Sequence, residues 1–120
     1  MYDPYSDAEQ RGIRVMHHPI RSANGMWLPD HNLIVIKSGM RAVHDRSALA
    51  HELAHAELGH RDDRPKHEIQ ADQLAARKLI DLDRCREVMK WAPDVGHLAA
   101  ELGVSTRIAL AFLRHHRLAG

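Results

Sequence analysis

The chain has one cysteine, Cys85, in 120 residues, so no internal disulfide can form and the fold must rest on its packed core. Excess charge is also missing: 17 Lys and Arg stand against 16 Asp and Glu, for a formal net charge of +1. That balance gives no global basic field for a nucleic acid or a membrane surface, and any such contact has to be local. No apolar run approaches membrane-spanning length, and Met1-Tyr2-Asp3-Pro4 lacks the basic residues that open a secretory signal. Internal repeats and low-complexity stretches are absent too. The expectation is a cytoplasmic protein with no membrane partner.

What is present suits one α+β domain, 1–120, since 44% hydrophobic residues in a chain of this length can fill a core. Residues 1–11 are polar and read as surface, with Tyr2 and Tyr5 able to pack back. Strands are expected within about 12–37. Ile13-Arg14-Val15-Met16-His17 alternates, Gly25-Met26-Trp27-Leu28 follows an Asn-Gly turn signal, and Leu33-Ile34-Val35-Ile36 is apolar on both faces. With turn residues at Pro29-Asp30-His31-Asn32, these predict a small three-stranded antiparallel meander. Helices are expected at about 42–80, with Pro65 in the first turn of the second, and three shorter ones at about 83–116. Asp83, Asp94 and Ser105 are the expected caps of those three, with Pro93 and Gly103 marking stops.

The chemistry gathers at His51-Glu52-Leu53-Ala54-His55. On a helix, residues i and i+4 share a face, so both imidazoles can reach one metal ion. Imidazoles suit Zn²⁺, and Glu52 between them can act on water without being a ligand. This is the H-E-x-x-H pattern of zinc peptidases. With 11 histidines in the chain the pentapeptide alone is weak evidence. Its context strengthens it: Ser47-Ala48-Leu49-Ala50 before and Ala56-Glu57-Leu58 after continue one helix, and Gly59 can end it.

The next helix carries Glu68 and Asp72 at the head of the same stripe as Ala75 and Leu79. Burying carboxylates there is costly unless a positive charge compensates, and a metal on His51 and His55 would do so. Glu68 then becomes the third ligand, leaving one position open as in catalytic zinc sites. Asp72, one turn on, can accept a hydrogen bond from a ligand histidine and fix its tautomer. The alternative for both acids is a solvated face or salt bridges to Arg61 or Arg64. The chemistry implied is metal-assisted amide hydrolysis with Glu52 as general base.

His17, His18, His31, His60 and Tyr5 are candidates to stabilise the oxyanion, with nothing to choose among them. Strand 33–37 is a candidate edge for an extended substrate; its apolar faces equally suit an interior strand. His67 points about 100° away from Glu68 on a helix and is a poor ligand candidate. The pair His115-His116 reads as solvent-facing. A different class of function, a DNA-binding regulator, rests on segment 98–114: Leu98-Ala99-Ala100-Glu101-Leu102-Gly103-Val104-Ser105 has a Gly-centred turn, and Arg107, Arg114, His115, His116 and Arg117 follow. The neutral overall charge favours instead an ordinary helical pair packed on the core.

His-Glu-Leu-Ala-His-Ala-Glu-Leu-Gly-His at 51–60, followed by Glu-Ile-Gln-Ala-Asp-Gln-Leu-Ala-Ala at 68–76, resembles the ImmA/IrrE metallopeptidases. The likeness runs from the strands to Ser105. It implies a small sheet beside a gluzincin-like site, zinc on His51, His55 and Glu68, and Glu52 as base. Two departures stand out: Gln70 where many members have Glu, and Leu74 where many have Phe. Members of this family often belong to phages or mobile elements and cleave a transcriptional repressor, so the resemblance implies a protein substrate of that kind. A repressor-binding protein without proteolysis is the remaining alternative.

Overall fold

The computed structural model describes residues 1–118. Asp3 accepts a hydrogen bond from the Tyr5 N–H at 3.0 Å and Pro4 takes the first helical position, so the polar start of the chain forms a short helix, α1 (Pro4–Gln10). Ala8 anchors it in the core. Three strands follow, β1 (Arg14–His18), β2 (Gly25–Leu28) and β3 (Leu33–Lys37).

Their order is β1-β3-β2, and the expected antiparallel meander does not form. β2 and β3 make an antiparallel hairpin, Gly25 opposite Ile36, across a short 3-10 turn at Pro29–His31 and a left-handed Asn32. β1 lies parallel on the far side of β3, with Arg14 opposite Leu33. The apolar pattern explains the difference. Ile34, Val35 and Ile36 are all buried although they alternate in direction, and only a central strand has both faces and both edges covered. β1 is exposed at all but Val15 and takes the edge. β3 is therefore not an edge that a substrate can extend; among the described residues the free edges belong to β1 and β2.

The longest helix, α2 (Ala42–Glu57), is enclosed on several sides. Leu49 and Leu53 pack with Ala8, Ile34 and Ile36. One residue further round, Ala50 and Ala54 join Ala71 and Ala75 of α3 (Pro65–Leu79) in the larger helical core. The small side chains at this crossing let the two helices approach. At 100° per residue, His51 and His55 then face a third side and Glu52 a fourth. α2 stops in a Schellman motif: Gly59 adopts φ +73°, its N–H donates to the Ala56 carbonyl, and the His60 N–H donates to the His55 carbonyl at 2.9 Å.

The helical core is completed by α4 (Leu82–Met89), α5 (Val95–Leu102) and α6 (Thr106–His116) through Cys85, Val88, Leu98, Ile108 and Phe112. Asp94 and Ser105 cap α5 and α6 as expected. Asp81, not Asp83, caps α4, because α3 ends at Leu79 with Ile80 extended and the chain turns helical again at once. The buried Ser47 hydroxyl accepts the Ser105 N–H at 3.1 Å and so seats the start of α6 against α2. No helix among the described residues is long and apolar enough to cross a membrane.

Candidate active site

Two adjacent turns of α2 and the first turn of α3 supply the centre of the site. His51 Nε2 and His55 Nε2 lie 3.1 Å apart, and Glu68 Oε1 stands 3.3 Å from the first and 2.7 Å from the second. A tetrahedral ion with bonds of about 2.0–2.1 Å holds its donors about 3.3 Å apart, so the three atoms have the spacing of one coordination shell. Two imidazoles and a carboxylate also suit zinc chemically. The three residues could hold a metal ion. Asp72 lies where the spacing predicted it, its Oδ1 accepting from His51 Nδ1 at 2.8 Å and leaving Nε2 to face the other two donors.

Arg107, in the first turn of α6, reaches across to the acids of α3. Its Nε donates to Asp72 Oδ2 at 2.8 Å and its Nη2 to Glu68 Oε2 at 3.0 Å. Each acid thus offers one oxygen to the histidines and the other to the guanidinium. Burial alone would raise the Asp72 and Glu68 carboxyls; the hydrogen bonds and charges of His51, His55 and Arg107 outweigh it and hold both below the usual range. Burial pulls His51 down, yet Asp72, Glu52 and Glu68 carry it above its ordinary value. His55 is lowered, by burial and by His51 beside it. Glu52 is the outlier: burial pushes it up to about 7, against the opposing pull of His51.

These groups lie in a cleft. On one side is a cavity of about 310 Å³ lined by Gly25, His44, Ser47, Glu52, Glu68 and Arg107. On the other is one of about 340 Å³ lined by Gly25, Met26, Trp27, Glu52, His55 and Glu68. Gly25, Glu52 and Glu68 border both, so the donor cluster sits between two open compartments with β2 along one wall. The family model for the IrrE N-terminal-like domain, a peptidase family, matches residues 8–114. This chain belongs to the IrrE N-terminal-like peptidase family. None of the curated proteins compared with it matches.

Membership makes the peptidase reading of the cleft a property of the family, and the structure sorts the remaining sequence candidates around it. Tyr5 and His17 pair with Asp45 at the start of α2, away from the cleft. Neither they nor His18 and His31 line either cavity. His60 lies behind His55, its Nδ1 2.9 Å from His55 Nδ1, where it cannot meet a substrate oxyanion. His67 stacks on His60 with ring centroids 3.9 Å apart and is not a member of the donor cluster. His116 rests against Phe112 and is half-buried, while His115 is exposed.

Two features of this family member were not legible in its sequence. Arg107 stood among the basic residues of a DNA-reading helix, but its guanidinium is turned into the peptidase cleft. His44, about two helical turns before His51, also lines the cavity. The cost of burying Glu68 and Asp72 did signal a missing cation, and Arg107 is part of that answer.

Proposed function

We propose that this chain is a zinc-dependent endopeptidase of the cytoplasm, with His51, His55 and Glu68 as metal ligands and Glu52 as general base. One observation carries the proposal: three donor atoms within 3.3 Å of one another sit beside a buried carboxylate at the meeting of two cavities. A zinc ion on those donors supplies Lewis acidity, acidifying water and polarising a carbonyl oxygen. Glu52 takes the proton of the attacking water and passes it to the departing amine, so that water and amide give carboxylate and ammonium once the acid's proton has followed. Burial raises the Glu52 carboxyl, to about 7 without metal, the direction that suits a group which must take up a proton as well as release it. Asp72 orients His51, and Arg107 holds the second oxygens of Glu68 and Asp72, keeping Glu68 Oε1 aimed at the histidines.

A cleft open on both sides of the scissile position fits a cut within a chain. β2 pairs on one side only, with β3, so an extended segment laid along its other edge would gain backbone hydrogen bonds while side chains enter the cavities. A site this shallow suits a locally unfolded segment such as an exposed linker. The resemblance to ImmA/IrrE proteins supports a transcriptional repressor of a phage or mobile element as that substrate. Cutting between its DNA-binding and dimerisation parts would release many genes at once.

The test mixes the purified protein with the repressor encoded nearest its gene, with and without chelator, and maps fragments by mass spectrometry. Chelator-sensitive cleavage at one or a few positions, lost in Glu52→Gln, is expected. An intact repressor with an unrelated unfolded protein degraded would mean a general peptidase. Binding with no cleavage of either would mean a sequestering partner, and the proteolytic reading would fall.

A further inference from the structure

Behind His55 runs a chain of side chains that the reaction itself does not use. Gln70 Oε1 lies 2.9 Å from His60 Nε2, and His60 Nδ1 lies 2.9 Å from His55 Nδ1. An amide oxygen only accepts, so His60 Nε2 must carry a hydrogen. In a neutral imidazole the other nitrogen is then bare, and His60 Nδ1 can only accept. Without metal, Glu68 Oε1 at 2.7 Å calls for a hydrogen on His55 Nε2; with an ion there in its place, His55 Nδ1 carries the hydrogen and donates it to His60. Gln70 sets the order at one end, and an ion on His55 Nε2 would set the same order at the other.

The fold fixes this order mechanically. The left-handed Gly59 ends α2 so that the chain doubles back, and the backbone bond from the His60 N–H to the His55 carbonyl places the two rings together. His60 is 7% exposed. Its ring is clamped by His67, stacked at 3.9 Å and 9°, and His67 is itself held by Asp62 Oδ1 at 2.7 Å from its Nδ1.

We propose that His60 and Gln70 are positioning residues that lock His55 in the tautomer able to bind metal through Nε2. The two ligand histidines are then set differently: Asp72, an anion, braces His51, and a neutral pair braces His55. The inference rests on the metal reading above and deepens it.

The experiment measures zinc affinity by chelator competition and ring-nitrogen shifts by ¹⁵N NMR on the full chain, with circular dichroism as the check on folding. His60→Leu keeps bulk but offers no acceptor; His60→Asn keeps an acceptor near the position of Nδ1. Zinc binding should weaken about 10 to 100-fold in His60→Leu and in Gln70→Leu. It should recover largely in His60→Asn, and Gln70→Glu, which also accepts, should bind at least as tightly as the parent. In the zinc-loaded parent, His55 should show a protonated Nδ1. Equal zinc affinity in His60→Leu and the parent, or equal weakening in His60→Leu and His60→Asn, would overturn the proposal. A protonated His55 Nε2 in the zinc-loaded parent would do the same. Failure of the parent to bind zinc would remove the metal reading too, which separates the two failures.

Discussion

Glu52 shows how much one position on α2 determines. Its neighbours one residue back and one residue on face the cleft and the sheet, and its own carboxylate is buried beside Gly25 and Trp27. Glu52→Gln should retain about one zinc per chain while hydrolysis drops about 10² to 10⁴-fold, because Gln keeps the shape but cannot take a proton. Undiminished turnover with full metal content would remove Glu52 from the role of base. The raised carboxyl also links to stability. A folded-state pKa above the unfolded one favours the native state at low pH, and that benefit is lost as pH rises from about 4.5 through about 7. In metal-free protein the Gln variant escapes the loss, so its melting point relative to the parent should climb between about pH 5 and about pH 8, by on the order of 2–3 kcal/mol in stability. A difference that stays flat with pH would show that Glu52 titrates alike in both states. His51, Glu52, His55, Glu68 and Asp72 were readable in the sequence because helical spacing alone brings each group of them together. Arg107, and the link of Gln70 through His60 to His55, were not, since they depend on how separate helices and a helix-ending turn lie in space.

Among the elements, β2 carries the tightest constraint. A methyl group at Gly25 would meet Ile36 Cδ1 at 3.0 Å and Glu52 Cγ and the Val35 carbonyl oxygen each at 3.2 Å. Two of those neighbours belong to the central strand, so Glu52 is the one with freedom to yield. Gly25→Ala should cost about 1 kcal/mol or more of stability and lower kcat about tenfold by moving the base, with zinc content unchanged. Full activity in a well-folded Ala variant would show that the space around Glu52 is looser than it looks. The helices were largely legible, since Pro65, Asp94, Gly59, Gly103 and Ser105 mark their ends by local chemistry. The sheet was not: short connections suggest hairpins, whereas the pairing of β1 with β3 is decided by which strand needs burial on both faces. Leu33-Ile34-Val35-Ile36 already carried that signal in its unbroken apolar run.

For the whole molecule, the proposed ligands come from two helices that meet through alanines, so metal binding and folding must be coupled. Zinc at a hundredfold excess over its Kd would add about 2.7 kcal/mol, which for a chain of this size raises Tm by roughly 10–20 °C. Scanning calorimetry with stepwise zinc additions checks this, and a Tm indifferent to zinc and to chelator would show that His51, His55 and Glu68 take no metal. The two-sided cleft makes a separate demand. Peptides blocked at both ends should be cut as readily as free ones, and a requirement for a free terminus in mass-spectrometric assays would mean an exopeptidase.

The grip of Arg107 on both acids has a thermodynamic corollary. Whatever draws α6 away from α3 must release Glu68 and Asp72 from the guanidinium and loosen the hold on His51. By reciprocity, occupancy at the histidines resists that displacement with the same free energy. The seating of α6 against α3 and the charge Arg107 lends to Glu68 and Asp72 therefore cannot be altered independently.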